Sequence, residues 1–172
     1  METVGTSRPG TGMMAIRGQG NAAANGARRV AHLRGHAARF RKFVSACLAH
    51  DGFLPDVIVA CAGLPGDEEE SFTLHTAVGR LYAQFGFAQW DGHLVGRYRF
   101  SRFLLGDDLK ERLVPFHAIL IEQEGRATFA EDGFFEWEIP DAFRADSHHG
   151  QALTRTLLEA YQASLPAFER PR

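Results

Sequence analysis

The residues able to do chemistry fall in a few places along the chain. Asp67, Glu68, Glu69 and Glu70 form an acidic tract whose hard carboxylate oxygens suit Mg²⁺ or Mn²⁺. The same charges would also favour the N-terminus of a following helix. Arg97 and Arg99 stand two apart in an alternating run, with Arg102 nearby. On a strand they project from one face about 7 Å apart, a spacing that grips a phosphate or carboxylate or pairs with surface acids. His117 lies inside the apolar run 116–121, where a histidine is either hydrogen-bonded to its surroundings or, facing a pocket, an acid–base group. His148 and His149, beside Asp146, are metal ligands or proton carriers in one reading and a polar lead into a helix in the other. Trp90 and Trp137 offer ring faces for stacking on a base or for packing a core.

No high-specificity motif accompanies them. The chain lacks GxGxxG, a P-loop, HExxH, GxSxG and zinc-ribbon spacing. Cys47 and Cys61 are the only cysteines and form no CxxC pair. Both sit among apolar neighbours, as small buried hydrophobes do, so a reducing, cytoplasmic setting is expected. No apolar run approaches the roughly 18 residues of a membrane span.

Charge is unevenly spread. Residues 1–50 hold eight bases against one acid, a net +7; residues 51–172 hold eleven bases against twenty acids, a net −9. Such asymmetry marks either a segment that touches nucleic acid or an acidic protein, here through residues 28–42, or a basic helix packed on its own acidic body.

The elements that must position these residues follow from periodicity. Residues 1–27 are Gly-rich, basic and without apolar period, so they read as a disordered arm. Their composition is also that of an organelle transit peptide, and Met13 and Met14 offer later starts. Residues 28–172 read as a single α+β domain. Val30, Leu33, Ala37, Phe40, Val44 and Cys47 form one helical stripe over 28–50. Val57–Cys61 reads as a buried strand. Leu74, Ala77, Val78, Leu81, Tyr82 and Phe85 fall at helical spacing, with Gly86 placed to end a second helix. His93–Leu105 alternates, with Tyr98 and Phe100 on one face and Arg97 and Arg99 on the other. Residues 106–112 read as a loop or short helix, 115–122 and 134–139 as strands, and Leu153, Leu157 and Tyr161 as a last helix. The expected fold is a mixed or antiparallel sheet flanked by helices, an α/β/α sandwich.

The order of these segments resembles the Nudix hydrolase superfamily. Leu64-Pro65-Gly66, the acids and the stretch Thr73–Phe87 resemble its loop–helix–loop box. Phe116–Ile121 is similar to the strand that follows, and Phe135–Phe143 to the segment around its late tryptophan. The resemblance implies a nucleotide-like ligand, a nucleoside diphosphate derivative, with Mg²⁺ or Mn²⁺. It also implies metal-binding Glu68, Glu69 and Glu70, catalytic Glu69 and Glu70, and ligand contacts from Arg97, Arg99, His117 and Trp137. The family's metal glutamates would fall at Ala83 and Gln84, and no carboxylate occurs between Glu70 and Asp91. The resemblance therefore implies either an inactive, ligand-binding copy or a diverged hydrolase that recruits Glu68–Glu70. The alternative is a regulatory protein without catalysis, binding an acidic partner or nucleic acid through its basic helix.

Overall fold

The computed structural model describes residues 12–50, 58–60, 70–76, 79–106, 108–140 and 147–166, with side chains of the first helix described over 24–48. A long helix α1 (Gly12–His50) leads into seven strands, β1 (Ile58–Ala60), β2 (Phe72–Thr76), β3 (Gly79–Trp90), β4 (His93–Leu105), β5 (Glu111–Ile121), β6 (Arg126–Ala127) and β7 (Trp137–Glu138). The helix α2 (His148–Ala163) follows. The strands pair in sequence order and every pairing is antiparallel. The molecule is thus α+β, with the long β3, β4 and β5 as its platform.

The alternation in β4 decides which side is which. Tyr98 and Phe100 are fully buried, and the Tyr98 hydroxyl lies within hydrogen-bond distance of the Ala37 carbonyl in α1 (3.0 Å) and the Glu70 carbonyl (2.9 Å). Arg102, on the same face by its even spacing, donates through Nη2 to the Ser164 carbonyl at the end of α2. A cation there also complements the negative end of the helix dipole. Both helices therefore lie on one face of the sheet, and their apolar stripes join the strands in one core. Among the described residues this is two layers, where the periodicity suggested a three-layer sandwich.

Three further expectations change. The helix α1 begins at Gly12, where the sequence suggested a disordered arm up to residue 27; after Pro9 nothing forbids a helix, and Ala22–Ala24 are strong helix formers. Its first buried side chain among those described is Leu33. The expected helix over 74–85 is instead β2 and β3. Its 3–4 spacing is coincidental, produced because β3 buries Tyr82 on one face as well as Leu81, Ala83 and Phe85 on the other. Once the outward face is also covered, the period of two disappears from the pattern. Gly86, expected to end a helix, lies inside β3 opposite Arg97. Finally, β5 begins at Glu111, inside the expected loop 106–112, while the expected strand 134–139 shrinks to Trp137–Glu138.

The β3–β4 turn is Asp91-Gly92, both at positive φ (48° and 75°), closed by the pair Trp90 and His93. Asp-Gly in that conformation matches the twist of a two-residue hairpin. The strand β1 coincides with the expected run 57–61 at its centre, and β4 has its expected bounds. The helix α2 starts from Ser147, whose Oγ accepts from the Gly150 amide at 3.1 Å.

Candidate functional site

The outward face of the platform carries the candidate site. Register sets Gln84, Arg99 and Ala118 in one cross-strand row and Gly86, Arg97 and Leu120 in the next. Glycine and alanine flank the two arginines, so both guanidinium groups rise from a low floor. Two adjoining depressions result. The larger, about 420 Å³, is lined by Arg97, Arg99, Pro115, Phe116, His117, Ala118 and Glu131. The smaller, about 120 Å³, is lined by Gln84, Phe85, Gly86, Phe87, Arg97 and Arg99. Nothing lies within 4 Å of where a Cβ on Gly86 would stand, so the missing side chain is what leaves the smaller depression open.

The two arginines differ. Arg97 is paired with Glu131: Nη2 donates to Oε2 at 2.9 Å, and Nε lies 2.7 Å from Oε1 without hydrogen-bond geometry. This ion pair holds the guanidinium by one hydrogen bond and offsets its charge. Arg99 is exposed and has no ion-pair or hydrogen-bond partner among the described residues. It is the uncompensated charge of the groove.

His117 enters through a bulge. Phe100 pairs with His117 and Ser101 with Pro115, so Phe116 is the extra residue of β5. Pro115 lacks an amide hydrogen, which a broken ladder tolerates. The His117 Nε2 is 2.7 Å from the Phe129 carbonyl, which can only accept, so Nε2 carries the proton and Nδ1 is the bare nitrogen of the neutral ring. Burial pushes the imidazole below its ordinary pKa, against smaller opposite pulls from the Phe129 hydrogen bond and the Glu131 charge. The ring is therefore neutral near pH 7 and gains charge on acidification.

Of the residues singled out in the sequence, the fold brings Arg97, Arg99 and His117 together. It sends the others elsewhere. Glu68 and Glu69 lie outside the described residues. Glu70 is 8 % exposed, on the Tyr98 side of the sheet, and its Oε2 has no hydrogen-bond partner among the described residues. Burial and then the Glu70 charge raise the Tyr98 phenol well above its ordinary value, partly offset by Arg41. Glu70 is not among the residues that line the Arg97–Arg99 groove. Among the described residues no three His, Cys, Asp or Glu side chains converge as a metal site. Trp137, expected to touch ligand, is 1 % exposed, stacked on Phe129 at 5.5 Å and against Phe43 at 5.5 Å. With those neighbours on its rings it is a core residue, and this corrects the expectation. His148 and His149 are exposed at the start of α2.

Sequence reasoning missed Glu131, Phe116 and Gly86. Glu131 reaches Arg97 from 34 residues away, with no local signal. Gly86 had a signal: Asp91-Gly92 is a hairpin-turn dipeptide beside the alternating run 93–105, and pairing the preceding residues back from it would have placed Gly86 opposite Arg97.

No family model matches the chain, and no significant match is found among curated proteins or solved structures. No helix among the described residues is long and apolar enough to cross a membrane.

Proposed function

We propose that this protein binds a small anionic ligand in the Arg97–Arg99 groove and performs no hydrolysis there. The observation that carries this reading is Arg99: an exposed guanidinium without a partner among the described residues, between two depressions, beside a second arginine paired with Glu131. A phosphate or carboxylate replaces water on Arg99 without breaking an ion pair, and Arg97 adds a preoriented donor at the edge. Phe116 borders the groove while its ring packs against Tyr161 and Phe100, and His117 offers a neutral acceptor. The ligand class that the Nudix resemblance suggests, a nucleoside diphosphate derivative, has the right charge. Its hydrolytic version needs several carboxylates in the groove to hold Mg²⁺ or Mn²⁺. Among the described residues the groove offers Glu131 alone, which is paired with Arg97, and Glu70 lies on the opposite face, which supports the non-hydrolytic version.

Isothermal titration of the full chain with inorganic pyrophosphate and with nucleoside diphosphates tests this. Saturable binding, lost in Arg99→Ala and unaccompanied by phosphate release with Mg²⁺ or Mn²⁺, is the expected result. A wild-type chain that binds none of these anions, or that turns them over, removes the reading.

A second reading rests on a separate observation. Arg28, Arg29 and Lys42 on α1 are exposed, with no ion-pair partner among the described residues. Among the described residues no acid of the body pairs with them, and an acidic protein or nucleic acid is the alternative partner this supports. Its mark is a steep fall in oligonucleotide affinity with salt, shallower by about 2 in slope for Arg28→Glu/Arg29→Glu.

A further inference from the structure

A different depression, about 450 Å³, lies at the far end of β3 and β4 beside the Asp91-Gly92 turn. Its size is that of a small-molecule site. Trp90 and Phe135 line it together with Asp91, Glu122 and Glu124. The Trp90 wall is built in. A Cβ on Gly133 would stand 2.2 Å from the indole, and Gly133 is at φ +77°, so only glycine lets the 129–136 loop approach the ring this closely. Trp90 is nevertheless 37 % exposed.

Charge then selects the ligand. The Glu122 carboxylate is taken by Arg126. Asp91 and Glu124 have no hydrogen-bond or ion-pair partner among the described residues, leaving the cleft two negative charges. The Gln123 amide donates to the Leu94 carbonyl at 3.3 Å, so it is occupied too. An aromatic face rimmed by free carboxylates attracts a cation and offers little to an anion.

We propose that this cleft binds a small organic cation, a guanidinium or alkylammonium group on a short apolar stem, seated on Trp90 between Asp91 and Glu124. The ring supplies cation–π attraction and contact for the stem, while the two carboxylates supply the counter-charge. The site is independent of the Arg97–Arg99 groove, which takes the opposite charge; Glu131 and Gly133 of one loop help to line the two.

The test is tryptophan fluorescence of the full chain titrated with argininamide and with tetramethylammonium, against potassium chloride at equal ionic strength. The core ring Trp137 is shielded, so Trp90 is the reporter. Both organic cations should give a saturable change that potassium does not, and Trp90→Phe should abolish it. Asp91→Asn/Glu124→Gln should weaken affinity about tenfold, since Asn is at home at the positive φ of residue 91 and the turn is kept. Circular dichroism checks that the fold survives. No saturable change in the wild-type chain, an equal response to potassium, or unaltered affinity in the folded double variant would overturn the proposal.

Discussion

The two faces of β4 are built from alternate residues of one strand, yet they do opposite work. Inward, Tyr98 and Phe100 are sealed among rings: Phe40 is stacked on Tyr98 at 4.8 Å, and Phe72 and Phe85 lie at 5.7 and 5.2 Å. Outward, Arg97 and Arg99 stand over a glycine and an alanine with space above them. The inward face spends its polar group on a hydrogen bond that ties helix, loop and sheet together. The outward face leaves Arg99 unspent. Burial makes the first face the source of stability, and its lack makes the second available for binding.

The sharpest way to break this contrast is at Tyr98. Removing the ring in Tyr98→Ala opens a cavity among four aromatic neighbours and should cost about 3–5 kcal/mol in urea unfolding. A cost under about 1 kcal/mol, the usual surface range, would mean the inward face is not the keystone. Arg99→Ala should do the reverse. It should leave unfolding within about 0.5 kcal/mol of wild type and weaken anion affinity by about tenfold to a hundredfold. Gly86→Val sharpens the comparison further. The outward space accepts the side chain and a β-branched residue suits a strand, so stability should hold or rise by up to about 1 kcal/mol. Anion affinity should fall because the smaller depression is filled, as calorimetry on the same variant would record.

The smallest effect is expected from His117, which sits where the faces meet. Its folded-state pKa lies below the ordinary value, so between the two the unfolded chain binds more protons and stability rises with pH. Acidification through that window, below about pH 6.5, costs stability, and His117→Gln should flatten the dependence of the urea midpoint. Anion binding should run the other way, tightening as the imidazole becomes charged. An unchanged pH profile in His117→Gln would remove His117 from the groove's electrostatics.

How much of this was legible depended on where burial fell. The stripe of α1 could be read because that helix buries one face and exposes the other, and the alternation of β4 because buried Tyr98 and Phe100 alternate with half-buried Arg97 and exposed Arg99. The pairing of Arg97 with Arg99 followed from the same alternation. The stretch 72–90 misled because β3 buries both faces near Tyr82, and two-sided burial erases the period that separates strand from helix. Trp137 and Glu70 misled for another reason: a residue's type says what it can do, while its exposure says whether it does.

The sequence by itself determined an α+β chain with a basic first helix, an alternating arginine strand and no metal or nucleophile motif, because these depend on residue type and short-range period. Only the tertiary structure decided that Glu131 occupies Arg97 and not Arg99, that Glu70 faces away from them, and that both helices share one side of the sheet. Those facts are set by contacts between residues tens of positions apart, and local pattern carries no record of which distant side chain arrives.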